Sequence, residues 1–456
     1  MLIKFKGIQT NNFKLENLKI SDVKSNYLLW LRNKKVNKFI TKSNFKDLEQ
    51  LKKFIKKNYL KKNSFFLKIL NKNKLHIGNV RIYNINLKKS SAYFGILIGD
   101  QKSWNKGLTQ EVIQHIGKYL YKQFKIVKIY LGIDKKNISA LQAYNKSGFV
   151  FVNKNKNLMC RNYFLNKLCI GTAQFGSNYG IANKNGIVKI SEIKKIKKFA
   201  LSNGIRTMDT AQAYGEGEKR LSKIGINEFT TLSKLPVTKP GTNRKKWVLD
   251  NIKKSLKILN KKFFHAVFVH NTNYLYDKKG REIYKGLVIA QNKGLVKNIG
   301  VSTYTIEEIK FIIKNFKKFN IIMLPYNIID RRPIKSKIFK KLNTLNIEVH
   351  TRSVFLQGLL LLNNKKVPKK FHKWSNVFSS IEKVSKKLGL SKYEVCLRYV
   401  LSNPLIDKVL IGTDNFSQLK KLVNISKKGN LNIKNKDIYP SYDTNLLNPS
   451  KWPGLV

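Results

Sequence analysis

Thr207-Met208-Asp209-Thr210-Ala211-Gln212-Ala213-Tyr214-Gly215 reads as a short strand that delivers a carboxylate and, one turn later, a phenol. Two further stretches share this form. Phe229-Thr230-Thr231-Leu232-Ser233-Lys234 ends on an amine, and Ala266-Val267-Phe268-Val269-His270 ends on an imidazole. Outward from these three, apolar runs also end at about Thr172, Ser302, Asn327, Ser353 and Thr413. Helically spaced residues fill the intervals, such as Ile193, Ile196, Phe199 and Ala200, or Ile306, Ile309, Ile312 and Ile313. Eight such strand–helix units over about 290 residues have the count and length of a (β/α)8 TIM barrel, whose chemistry sits at the C-terminal ends of its strands. Asp209, Tyr214, Lys234 and His270 then share one rim.

Those four groups suit carbonyl reduction. Hydride addition leaves negative charge on the carbonyl oxygen, and a proton must follow. A tyrosine can give it, but its ordinary pKa near 10 is high for the task at neutral pH. An ammonium beside it favours the phenolate and lowers that pKa. The sequence therefore casts Tyr214 as acid, Lys234 as tuner, Asp209 as the anchor of Lys234, and His270 as the group that orients the carbonyl. A lone Asp, Lys or His at a strand end is ordinarily solvated or structural. Four of complementary chemistry in consecutive units argue against coincidence.

Over about residues 166–430 the chain resembles the aldo/keto reductase superfamily. The matching motifs are Gly171-Thr172-Ala173-Gln174-Phe175-Gly176, the Asp209-to-Glu218 segment, Gly300-Val301-Ser302, Pro325-Tyr326-Asn327, Arg352-Ser353 with Gln357-Gly358, and Gly412-Thr413. The resemblance implies an NAD(P)H-dependent carbonyl/alcohol oxidoreductase with Asp209, Tyr214, Lys234 and His270 as catalytic tetrad. It also implies cofactor contacts from Gly171, Thr172, Ser302, Asn327, Arg352, Gly412 and Thr413, with Ser302 and Asn327 on the nicotinamide carboxamide. Three positions depart from the family pattern. Met323 stands where many members carry Gln. Arg352 replaces an aromatic that stacks on the nicotinamide, so its guanidinium either stacks too or binds an anionic substrate. Asp414 falls where a 2′-phosphate is expected, with Lys420 and Lys421 close behind; NADP is preferred over NAD.

Before residue 165 the rhythm differs. Phe65–Leu70, Ile77–Tyr83 and Ala92–Ile98 read as a three-strand meander turning first at Asn71-Lys72-Asn73-Lys74. Val112, Ile116, Leu120 and Phe124 mark a helix from about Leu108 to Phe124, and Met159–Phe164 reads as a last strand. The segment Ile98-Gly99 through Gln110-Glu111 passes from strand to helix through a turn whose free N–H groups suit phosphates. With Asn137-Ile138-Ser139-Ala140-Leu141-Gln142-Ala143-Tyr144-Asn145-Lys146-Ser147-Gly148-Phe149, it makes residues 10–165 resemble the GNAT acyltransferases. Trp30-Leu31-Arg32-Asn33 is similar to members that acetylate amino sugars on nucleotide carriers or protein N-termini.

The GNAT resemblance implies acetyl-CoA as co-substrate, its pyrophosphate on the turn that holds Trp104, Lys106, Gly107 and Thr109. It places Asn137 on the pantetheine arm and makes Tyr144 the proton donor to the leaving thiolate, against the plainer reading of Tyr144 as a core aromatic. Trp104 stands where Arg or Gln is common in the family, and Thr109 where Gly or Ala is. For a base the sequence offers nothing beyond Glu111.

The 456 residues carry a net charge of +66, yet only 11 of the 91 basic residues are Arg, and Lys is spread along the whole length. That is a composition bias, not a nucleic-acid stripe, so anionic small-molecule substrates are expected and no specific nucleic acid or membrane. No run approaches a membrane span, and the start Met1–Gly7 lacks the apolar core of a signal peptide. Cys160, Cys169 and Cys396 fit neither a disulfide framework nor a metal site; with them a cytoplasmic home is expected.

The expected architecture is thus α/β in two domains: a GNAT-like mixed α/β domain over 1–165 and a (β/α)8 barrel over 166–456. The expected activity is bifunctional, N-acetyltransferase plus oxidoreductase, with amino-sugar or nucleotide-sugar modification as the pathway by analogy. Two alternatives stand beside it: one half catalytic and the other a scaffold or sensor, or a polycation that docks on nucleic acid or membrane.

Overall fold

The computed structural model describes residues 5–452 except 11, 41–43, 60–62, 154–156, 184, 237–242, 278, 432 and 434–436. The expectation for the first residues of the chain falls partly on 1–4, outside the described residues. Two compact units divide at Tyr163/Phe164.

The first unit holds β1 (Ile8–Gln9), β2 (Phe13–Asn17), β3 (Phe65–Asn71), β4 (His76–Asn86), β5 (Ser91–Ile98), β6 (Lys128–Gly132), β7 (Val150–Asn153) and β8 (Leu158–Asn162), in sheet order β1-β2-β3-β4-β5-β6-β8-β7. The predicted meander is β3, β4 and β5. Its first turn forms because the Asn71 side-chain oxygen accepts from the Asn73 and Leu75 amides. The predicted helix spans Leu108–Phe124 and buries Val112, Ile113, Ile116 and Leu120 against one face of the sheet. A smaller cluster of Leu28, Leu31, Leu51, Ile55 and Phe66 joins the helices Ser25–Arg32 and Leu48–Tyr59 to the opposite face.

β5 and β6 run parallel but pair only at Ser91–Tyr93 with Lys128–Tyr130. From Phe94 onward β5 is laddered to β4, while Leu131 and Gly132 of β6 are laddered to β8. The β5–β6 ladder therefore stops after Tyr93 and Tyr130.

The second unit closes β9 (Leu168–Gly171), β10 (Thr207–Asp209), β11 (Thr230–Lys234), β12 (Phe264–Val269), β13 (Val296–Ser302), β14 (Ile321–Pro325), β15 (Glu348–Arg352) and β16 (Lys408–Gly412) into a parallel barrel, with β16 paired back to β9. Cys169, Leu232, Ala266, Phe268, Ile321 and Met323 fill its interior. Helix faces follow the sequence pattern: Ile193, Ile196 and Ala200 are buried on Ile190–Ser202, and Ile306, Ile309 and Ile312 on Ile306–Asn315.

One expectation needs correcting. Met159–Phe164 is not strand throughout; β8 ends at Asn162, and Tyr163–Lys167 is a single helical turn. Tyr163, Phe164 and Leu165 are all buried, and three adjacent buried side chains do not fit the alternation of an ordinary half-buried strand.

Beyond the eight units, residues 356–387 and the C-terminal stretch 438–452 build a second apolar cluster. Leu359, Phe371, Phe378, Ile381, Leu446 and Trp452 meet there, and Ser441 N donates to Ile329 O just past β14.

Candidate active sites

Asp209 and Lys234 end adjacent strands and are almost fully buried, with 1% and 3% of their surface exposed. Lys234 Nζ donates to Asp209 Oδ2 at 2.5 Å and to Thr210 O at 3.1 Å, and lies 5.0 Å from the centre of the Tyr214 ring. The charge of the same ammonium acts on the Tyr214 phenol and favours its ionised form. Burial by itself disfavours the ammonium, but the Asp209 carboxylate and the Tyr214 oxygen outweigh it and hold the amine protonated above its ordinary range. Edge-on to Tyr214, the His270 ring sits 6.4 Å away at 86°.

Tyr214 departs from the sequence argument in sign. Burial raises its phenol above 10, and the pull of Lys234 in the other direction does not overcome that. Some of its surface is still open to solvent. The phenol is therefore a proton holder throughout the neutral range, and Lys234 limits the rise instead of producing a low pKa.

Burial first, then Lys234 and Arg352, push the His270 imidazole down to about 3. It is neutral at physiological pH, so it can hydrogen-bond a carbonyl but cannot serve as a cationic acid. A consequence for stability follows from this sign. As pH falls from about 6.5 toward 3, the unfolded imidazole takes up a proton that the folded one refuses. Wild type is expected to lose stability through that window, and His270→Gln to lose less; urea midpoints at pH 7 and pH 4 give the comparison.

Backbone packing fixes where Tyr214 stands. A side chain at Gly176 would place its Cβ 1.8 Å from Tyr214 O, and one at Gly215, whose φ is +52°, 2.4 Å from Gly176 O. Thr172 ties the same turn down, its N and Oγ1 both donating to Asp209 O. Gly176→Ala is expected to displace the Tyr214 loop and lower turnover at least about a hundredfold, since misplacement by about 1 Å costs that much. Turnover within threefold of wild type would show that the loop relaxes freely.

The rim also gathers buried polar atoms that have no hydrogen-bond partner among the described residues: Asp209 Oδ1, Thr210 Oγ1, His270 Nδ1 and Thr413 Oγ1. Next to Thr413, Gly412 is exposed, and a Cβ there would meet the Gln174 amide at 2.6 Å. Such atoms call for a ligand or ordered water. Ser302 is buried at the end of β13. Asn327 is already engaged: its Nδ2 donates to Ser353 O, and its Oδ1 accepts from Ile329 N and Asp330 N.

In the first unit, Gly107 caps the Leu108–Phe124 helix in the left-handed region, φ +77°. Trp104 Nε1 donates back to Ile98 O, anchoring the loop; Lys106 is exposed, and Thr109 lies in the first helical turn. Asn137 caps the Ile138–Lys146 helix, its Oδ1 accepting from Ala140 N. On that helix Tyr144 packs on the core beside Phe149, and burial pushes its phenol up to about 12. Glu111 accepts from Asn12 Nδ2.

Residues 167–438 match the profile of the aldo/keto reductase family. The chain belongs to the aldo/keto reductase family. Ahead of the reductase barrel, residues 12–150 match an acetyltransferase (GNAT) domain. A D-arabinose 1-dehydrogenase of Saccharomyces cerevisiae is 28% identical over 131 residues, 26% of this chain; the chain spans 39% of that curated relative's length. The holo form of an aldo-keto reductase from Bacillus halodurans is 18% identical, TM-score 0.48, covering 63% of this chain and 94% of its own. A thermostable aldo-keto reductase solved with the inhibitor epalrestat is 19% identical, TM-score 0.45, covering 59% and 92%.

Two aromatic residues at the reductase mouth escaped the sequence reading. Tyr304 follows β13 and carries the Arg352 guanidinium 4.0 Å from its ring centre. Tyr179, 43% exposed, comes from the loop after β9 and interacts electrostatically with Tyr214, Arg352 and Tyr304. Their one available signal is position, each within a loop that leaves the C-terminal end of a strand.

Proposed function

We propose that the reductase barrel interconverts a carbonyl and an alcohol with a nicotinamide nucleotide, NADP preferred and NAD possible in its place. The carrying observation is the buried Lys234–Asp209 pair set against the Tyr214 phenol, with a neutral imidazole across from it. The nucleotide supplies or accepts the hydride. Tyr214 gives its proton to the carbonyl oxygen, or takes one back in the reverse direction, and stays protonated between turnovers because burial holds its pKa high. Lys234, fixed by Asp209, favours the phenolate formed when that proton leaves. His270 donates or accepts a hydrogen bond without changing charge and so orients the carbonyl. Gly171, Thr172, Ser302, Gly412 and Thr413 would hold the nucleotide. Thr413 Oγ1 fits this role as a buried hydroxyl without a protein partner beside an exposed glycine. Asn327 would reach it only through its second Nδ2 hydrogen.

We infer further that the GNAT domain transfers an acetyl group from acetyl-CoA to an amine. The ends of β5 and β6 beyond their short shared ladder would offer backbone groups to an extended pantetheine arm, and the first turn of the Leu108–Phe124 helix would offer N–H groups to the pyrophosphate. Tyr144 would be the donor to the thiolate, a reading its raised phenol pKa supports because it keeps the proton at neutral pH. Two reactions in one chain fit successive steps on one small anionic metabolite, such as an amino sugar or nucleotide sugar, in a reducing cytoplasm. The three cysteines are free thiols, and among the described residues no helix is long and apolar enough to cross a membrane.

Separate titrations of NADPH, NADH and acetyl-CoA into the purified protein test both readings. Micromolar binding of one nicotinamide nucleotide, unaffected by saturating acetyl-CoA, is expected. Binding of neither nucleotide would remove the reductase reading, and no binding of acetyl-CoA would remove the transferase reading.

A further inference from the structure

Arg352 ends β15 at the rim that holds Asp209 and Lys234. Its Nη2 donates to Thr303 O at 3.0 Å, and its Nη1 reaches Ser353 Oγ at 3.4 Å. One face of the guanidinium lies on Tyr304, 4.0 Å from the ring centre. The backbone beneath it is set by Ser353, whose φ is +64° and whose carbonyl is held by Asn327. Arg352 is thus a rigid fork aimed from a fixed strand end, with several of its five donors uncommitted.

What it lacks is an acid. Arg332 grips Asp330 through two bonds, and Arg244 grips Asp277 in the same way. Arg352 forms no ion pair among the described residues, although it is half-buried. Its charge is felt by Asp209 and Asp330, which are bonded to Lys234 and Arg332 and not to it, and by Tyr214, His270 and Tyr179 at the mouth. A stack on the nicotinamide is the less fitting role, because that ring becomes cationic on oxidation and would then meet a guanidinium face to face. An incoming oxyanion meets the opposite situation: a planar bidentate donor on an aromatic platform.

We propose that Arg352, braced on Tyr304, anchors an oxyanion of the substrate, so that the reductase acts on a carbonyl compound carrying a carboxylate or phosphate near its carbonyl. This rests on the reductase reading and names its substrate class. Tyr179 and Tyr304 form the walls that the body of such a substrate passes.

Matched pairs of probes test it. These are the ortho, meta and para carboxybenzaldehydes against their methyl esters, and glyceraldehyde phosphate against glyceraldehyde. Each is titrated into the protein saturated with oxidised nucleotide, following intrinsic fluorescence, and then assayed for kcat/KM with reduced nucleotide. Wild type is expected to favour at least one anionic partner about tenfold or more, the range of one charge-assisted bidentate contact. Which pair shows it distinguishes carboxylate from phosphate. Arg352→Gln is expected to bring that ratio within about threefold of unity, and Arg352→Lys to keep part of it; melting midpoints confirm that both variants fold.

Because both members of a pair meet the same nucleotide, the ratio is insensitive to any change in nucleotide affinity. Nucleotide binding with no anionic preference in wild type, or a preference that survives Arg352→Gln, overturns this proposal alone. Absence of nucleotide binding overturns the reductase reading beneath it.

Discussion

Tyr214→Phe is expected to lower kcat/KM for carbonyl reduction by about 10²–10⁴, the range of a positioned general acid, while nucleotide affinity changes by no more than about twofold. The ring stays edge-on to His270 and the Lys234–Asp209 pair keeps its geometry, because only an oxygen is removed. The raised phenol pKa adds a signature. Wild-type activity should show no loss of protonated Tyr214 between pH 6 and 9, since ionisation lies above the ordinary value of about 10. Steady-state kinetics over that range, with nucleotide affinity measured in parallel, give both readouts. A variant that keeps a tenth of wild-type activity would take Tyr214 out of the proton transfer.

Lys234→Met should do more damage, because it reaches stability as well as chemistry. It strands the Asp209 carboxylate in the barrel, where removal of one member of a buried pair costs about 3–5 kcal/mol. The melting midpoint should fall by about 5–10 °C, and turnover should fall at least as far as in Tyr214→Phe. Pairing it with Asp209→Asn removes the stranded charge. That double variant should recover much of the stability and none of the activity, which separates the structural share from the chemical one. The raised pKa of Lys234 sets the pH window: its contribution is fully present below the unfolded lysine value of about 10.4 and fades only as pH climbs toward the higher folded value. The Lys234 contribution is therefore constant between pH 6 and 9, and the deficit should grow with pH only as far as the stranded Asp209, whose carboxyl pKa burial already raises, ionises. If the single and double variants melt together, the pair carries no coupled energy.

Much of this site could be read from residue order. Strand ends are announced by apolar runs, and a parallel barrel sends all of them to one rim, so Asp209, Lys234 and His270 needed no structure to be grouped. The helix at Leu108–Phe124 was equally legible, because its buried stripe repeats at the helical period. Other features depend on what encloses a residue. The sign of the Tyr214 shift follows from burial, which sequence does not display. Asn137 and Asn327 show a different limit: an asparagine that caps a helix or turn looks the same in sequence as one awaiting a ligand, and here both side-chain oxygens are occupied by backbone amides. Tyr179 and Tyr304 were missed because loops carry no periodicity. Tyr163 and Phe164 were misread as the end of the Met159–Phe164 strand because two aromatic residues suit the close of a strand and the opening of a helical turn alike.

The order of strands around the barrel also orders its birth on the ribosome. Asp209, Tyr214, Lys234 and His270 come from three neighbouring strands, so the chain that builds them emerges early and in one piece. β16 comes last, yet it alone joins β15 to β9 and brings Gly412-Thr413 to the rim. Until it is synthesised, β9 and β15 both present open edges, the surfaces on which unfinished sheets stick to other chains. The nascent barrel is thus most exposed to aggregation just before its final strand arrives, and a truncation before Lys408 would leave these four candidate groups present but the ring unsealed.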